Sequence, residues 1–122
     1  MSCACGSTHA FERCCGRWLA GEPAPTAEAL MRSRYTAYTR ADHAYLLATW
    51  HPSTRPAAIE GLPAGVKWLG LDVRHAHELG DRATVEFVAR TKLAGRASRL
   101  HETSRFVREN GRWFYVDGVV RD

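Results

Sequence analysis

The chain has 122 residues, a formal net charge of +4, 45% hydrophobic and 25% charged residues, and four cysteines. This is enough for one compact domain with a small appendage, in the composition range of globular proteins. Its uncharged apolar runs are too short to span a bilayer, and Met1 to Gly6 shows no basic stretch followed by an apolar one, so the expectation is a cytoplasmic protein with no membrane span.

All four cysteines fall within the first fifteen residues, as Cys3-x-Cys5 and the vicinal pair Cys14-Cys15. Phe11 is the one residue of that stretch able to seed a core, so burial cannot offset the entropy of ordering it. Binding of a metal ion by four thiolates supplies the missing free energy, because in such sites metal binding and folding are coupled. A disulfide within either pair would close a small strained ring, and a reducing cytosol disfavours cross-pairings such as Cys3–Cys14 with Cys5–Cys15. The metal ligands are therefore Cys3, Cys5, Cys14 and Cys15. Tetrahedral sulfur coordination favours zinc, although iron also prefers sulfur. His9 reads as a solvent-facing turn residue, and Ser7 as the cap of a short helix from Thr8 to Cys14. Four ligands leave no open position, which points to a structural or docking role for the ion.

Gly21 to Pro25 reads as a short stiff linker, dividing the chain into a knuckle, 1–21, and a main domain, 22–122. Thr26 is a helix N-cap, followed at helical spacing by Leu30, Met31, Arg34, Tyr35 and Tyr38 up to about Thr39. Asp42 caps a second helix, Ala44 to Trp50, that His51-Pro52 closes. Pro56 to Leu62 has room for one helical turn.

From Val66 the period changes to two. Leu69, Leu71 and Val73 alternate with Trp68, Asp72 and Arg74, and Thr84 to Thr91 places Val85, Phe87 and Ala89 on one face. A third strand carries Leu100, Glu102, Ser104 and Phe106. Asn110-Gly111 is a strong hairpin signal that leads into the fourth, Trp113 to Val120. Helices followed by a four-stranded antiparallel meander make an α+β domain, its helices packed on one face of a curved sheet.

Two resemblances follow from these residues. Cys3-x-Cys5-Gly6-Ser7 followed by Phe11-x-x-Cys14-Cys15 resembles the SEC-C zinc-binding motif of the preprotein translocase ATPase tail and of many small bacterial proteins. The order of elements resembles the NTF2-like (cystatin-like) cone. Cys14-Cys15-Gly16-Arg17, Leu30-Met31-Arg32-Ser33-Arg34-Tyr35, Thr49-Trp50-His51-Pro52, Glu102-x-Ser104-x-Phe106 and Gly111-x-Trp113-x-Tyr115-x-Asp117-Gly118 are similar to the YchJ family of bacterial proteins across nearly the whole chain. The resemblance implies a zinc knuckle on an NTF2-like domain, with a pocket between its helices and the concave sheet.

By strand parity Glu102 and Ser104 share a side, as do Trp113, Tyr115 and Asp117. If those sides are concave, Glu102 and Asp117 enter an aromatic pocket with Arg34, Tyr35 and Trp50. Two readings compete there. In one, Glu102 or Asp117 is a general base, with His51 as a second proton carrier, in a small lyase or isomerase. In the preferred one, Arg34 pairs with Glu102 or Asp117 and locks helix to sheet. A separate stripe of Arg90, Lys92, Arg96, Arg99, Arg105, Arg108 and Arg112 reads first as edge protection and second as a nucleic-acid contact. The leading expectation is a binding or adaptor module whose knuckle docks a protein or ribosomal partner, the cone holding a small ligand at most.

Overall fold

The computed structural model describes residues 2–59 and 65–121. The knuckle contains a 3₁₀ turn, Phe11–Arg13, and a short helix α1, Cys15–Leu19. Helix α2 spans Ala27–Thr39 and α3 spans His43–Ala48. Both capping signals at their starts act as expected: Thr26 Oγ1 accepts from Ala29 N at 3.0 Å, and the Asp42 carboxylate accepts from Tyr45 N at 3.1 Å. A second acceptor at the head of α2 comes from the sheet, where Glu78 takes the Ala27 amide at 3.0 Å. Helix α3 ends before the expected Trp50 because the backbone there is taken by the sheet. Tyr115 N donates to Thr49 O at 2.8 Å and His51 N donates to Tyr115 O at 2.7 Å. The helical turn expected for Pro56 to Leu62 lies partly outside the described residues, and Pro56 to Ile59 is irregular.

Strands β1 (Lys67–Leu79), β2 (Arg82–Leu93), β3 (Arg96–Glu109) and β4 (Arg112–Arg121) form one antiparallel sheet in the order β1-β2-β3-β4. The β3–β4 turn has φ of 53° at Asn110 and 77° at Gly111, the left-handed pair that a two-residue hairpin requires. Helix α2 lies across the concave face, where Leu30, Met31 and Tyr35 pack on Val85, Phe87, Phe106 and Trp113. The fold is the α+β cone that the sequence implies, with the cysteine knuckle at its N-terminal end.

Three bulges modify the strand parity. One separates Trp68 from Gly70 in β1, so Trp68 turns inward against Tyr35 and Leu69 turns out, 53% exposed. A second lies between Val73 and His75. The third is in β4: Phe106 pairs with Tyr115, but Arg105 pairs with Asp117, leaving Val116 as the extra residue. That last insertion decides which carboxylates reach the concave side.

Candidate metal centre and cone cavity

The knuckle folds back on itself through Cys3 N donating to His9 O at 2.8 Å and Gly6 N donating to Cys3 O at 3.1 Å. Gly6 has a φ of +90°, and a side chain there would press on Leu71 O. Gly16 sits directly under Phe11, so that any Cβ would stand 2.7 Å from Phe11 O. These close approaches bring Cys3, Cys5, Cys14 and Cys15 together with all four sulfurs within 4.8 Å of one another. Cys5 Sγ is 3.6 Å from Cys14 Sγ, and Cys14 Sγ is 4.0 Å from Cys15 Sγ. Zinc–sulfur bonds of about 2.3 Å in a tetrahedron set sulfurs about 3.8 Å apart, so the donor set fits such an ion. Cys3, Cys5 and Cys15 are buried, and Cys14 is partly exposed.

The thiols also compete for one negative charge. The hydrogen bond from Cys15 pulls Cys5 down to about 4, whereas that same bond pushes Cys15 up and burial raises Cys14. A cation would release the remaining protons. Ser7 is not a helix cap: its hydroxyl donates to Cys14 Sγ at 3.1 Å and accepts from His9 N at 3.3 Å. A hydroxyl aimed at sulfur orients the donor, in the manner of the outer partners of metal ligands.

The knuckle rests on the cone. Arg32 Nη1 donates to Cys5 O at 2.8 Å, Cys3 Sγ lies 3.8 Å from Thr36 Oγ1, and Arg40 stacks 3.7 Å over the Phe11 ring. In the expected linker, Ala24 is buried in the main core, and Glu22 pairs with Arg17 of α1 at 3.1 Å.

The second candidate site is a cavity of about 250 Å³ under α2. Of the expected lining, it gathers Arg34, Tyr35, Trp50, Glu102, Ser104 and Tyr115, with Tyr38 and Trp68 in addition. Tyr38 continues the α2 stripe one turn beyond Arg34. Trp68 was hidden from strand parity by the β1 bulge.

Asp117 does not enter the cavity. The Val116 bulge turns it to the other face, where it holds Arg105 through hydrogen bonds of 2.6 and 2.5 Å. Trp113 lines a separate groove beneath α1 and α3 and packs in the core, its indole Nε1 without a partner among the described residues. His51 also lies outside, with Nε2 2.9 Å from Glu109 Oε2 and its ring on Phe114. A general base in the cavity would have to be Glu102 alone.

Nor does Arg34 form the expected ion pair among the described residues. Its Nη1 donates to Leu46 O at 2.8 Å and to Thr49 Oγ1 at 2.7 Å, and the guanidinium stacks on Tyr115 at 4.6 Å and Trp50 at 5.2 Å. Burial lowers its pKa below the usual arginine value, opposed by the tyrosines and Glu102. Aromatic faces, one backbone carbonyl and a hydroxyl take the role assigned to a carboxylate. Glu102 instead accepts from the Ser104 hydroxyl at 2.7 Å.

The arginine stripe divides in two. Arg105 pairs with Asp117, Arg108 with Asp81 at 3.0 Å, and Arg112 donates to Gly21 O at 3.4 Å. At the other end Arg90 stands directly across from Arg99, and Lys92 across from Lys67, all four exposed.

Fold and donor set together define a small protein with a four-cysteine knuckle suited to a metal ion on a four-stranded α+β cone. A model described as the YchJ middle NTF2-like domain matches residues 26–118. UPF0225 proteins from Methylibium petroleiphilum and Bordetella parapertussis are 61% and 56% identical, over 98% of this chain and 89% and 93% of theirs. The chain belongs to this YchJ (UPF0225) family. Its fold is similar to the solution structure of a SEC-C motif containing protein from Rhodopseudomonas palustris, at TM-score 0.90 and 37% identity with both chains fully covered. A crystal structure of a SEC-C motif containing protein from Psychrobacter arcticus matches at TM-score 0.78 and 24% identity, covering all of this chain and 84% of that one, which shows the fold alone. Among the described residues no helix is long and apolar enough to cross a membrane.

Proposed function

We propose that this protein is a zinc-carrying adaptor of the bacterial cytoplasm, in which the ion is structural and the knuckle presents a docking surface. The observation that carries the reading is the enclosure of the sulfurs: three of the four cysteines are buried, Cys3 Sγ lies against Thr36 of α2, and four thiolates leave a tetrahedral ion no free position. Bound zinc would fasten the knuckle to the base of the cone. Its exposed rim, with His9, Glu12 and Arg13, is the surface offered to a protein or ribosomal partner. Metal analysis of reduced protein should find one zinc per chain, and a Cys14→Ser/Cys15→Ser variant should lose the partners that the native chain retains on a column. Unchanged partners with the knuckle disordered would reject the docking role. Iron in place of zinc would correct the metal and leave the role standing.

A second reading has a specific observation in its favour. Arg90 opposite Arg99 and Lys67 opposite Lys92 set like charges face to face, an arrangement that costs sheet stability. An anionic polymer would relieve that repulsion, with affinity falling steeply as salt rises. Retention on heparin that does not respond to Arg90→Ala/Arg99→Ala would dismiss it.

A further inference from the structure

We propose that the cone cavity binds an uncharged planar ring bearing a carbonyl beside an N–H, the carbonyl accepting from Arg34 and the N–H donating to Glu102. This site is separate from the metal centre and from the knuckle rim.

The argument begins with Arg34, which is only 5% exposed and yet lines the cavity. Both of its hydrogen bonds to described residues leave from Nη1. Its Nε and Nη2 have no such acceptor, and neither is a sealed, unpartnered atom among the described residues, so both remain open to an acceptor that enters the cavity. A ligand carbonyl there gains a charge-assisted hydrogen bond, which is stronger than a neutral one.

Glu102 supplies the opposite need. Ser104 donates to its Oε2, and the other carboxylate oxygen has no hydrogen bond to a described residue. Gly118, across the strand from Ser104, leaves the space that this carboxylate fills. The enclosure therefore presents a cationic donor and an anionic acceptor whose charges cancel. A carboxylate ligand would meet Glu102 and an ammonium would meet Arg34, each desolvated beside a like charge. A neutral group with an acceptor next to a donor satisfies both.

The walls select for shape. Trp50 and Tyr115 meet edge to face at 4.9 Å, and Trp68 meets Tyr35 at 5.3 Å and Tyr38 at 6.0 Å. Such surfaces favour a flat ring inserted among them. A volume of about 250 Å³ suits a single or fused ring and little more.

The test is an amide NMR titration of the full, metal-replete chain with uracil, benzoate and benzylamine as probes. Uracil should shift the Tyr38, Ser104 and Tyr115 amides saturably, while the two charged probes at equal concentration leave them in place. Glu102→Gln should weaken uracil by roughly tenfold and admit benzoate, and Arg34→Lys should weaken uracil at least as much. Unchanged spectral dispersion verifies that the variants fold, and Glu102→Gln, being isosteric, keeps the test sound if Arg34→Lys does not. Saturable binding of benzoate or benzylamine in preference to uracil overturns the proposal. So does the absence of saturable shifts with all three.

Discussion

Gly118 of β4 faces Ser104 of β3, and a methyl group on it would overlap the carboxylate of Glu102. The absence of a side chain at 118 is thus what allows Glu102 to lie along the strand with Ser104 donating to it. Gly118 is exposed and the clash is with the far end of a flexible side chain, so Gly118→Ala should displace the Glu102 carboxylate from Ser104 at a cost of about 1 kcal/mol, one hydrogen bond. Urea unfolding checks this, and in a Glu102→Ala background the cost should shrink. An equal cost in both backgrounds would mean that backbone conformation, not Glu102, explains the glycine.

Ser7 touches the candidate metal centre through Cys14 Sγ at 3.1 Å. Ser7→Ala removes a hydrogen bond that orients the ligand and should lower metal affinity roughly 10–100-fold. Competition with a chromogenic chelator measures it. The cone should keep its native circular dichroism.

Removal of the ion should act on the knuckle before the cone. With metal absent, residues 2–19 have Phe11 and a few half-buried contacts to hold them, so their amides should exchange fast while β2 and β3 stay protected. Hydrogen exchange before and after chelation reads this directly. Uniform loss of protection through the sheet would show that a bound ion holds the whole fold instead.

Tyr115 carries the pH prediction. Burial raises its hydroxyl to about 12, with the neighbouring Glu102 charge adding to the shift. A folded-state value above the ordinary one near 10 means that the folded chain holds the proton more firmly. This share of stability is complete below about pH 10 and disappears as the pH climbs toward 12. Alkaline titration of phenolate absorbance should show a late-ionising tyrosine that Tyr115→Phe removes.

Asp117 should prove an ordinary surface partner. Its hydrogen bond from Arg105 holds the carboxyl below the usual carboxylate value, so the pair helps above the unfolded pKa and fades in acid. Both side chains are substantially exposed, at 63% and 43%, so Asp117→Asn should cost less than about 1 kcal/mol at neutral pH. It should also leave ligand binding in the cavity unaffected, whereas Glu102→Gln should change it.

What the amino-acid order determined by itself rests on short-range signals. Four cysteines in fifteen residues announce a metal knuckle, Thr26 and Asp42 start their helices through their own side chains, and Asn110-Gly111 turns one strand into the next. Each acts over a few residues, so no knowledge of the rest of the fold is needed. The tertiary structure alone decided which side chains meet. An inserted Val116 sends Asp117 outside, another bulge trades Leu69 for Trp68, and Arg34 finds aromatic faces and a carbonyl where an acid was expected. Strand faces alternate with period two, so one extra residue inverts everything beyond it, and nothing in the local sequence marks where the partner strand will force that step.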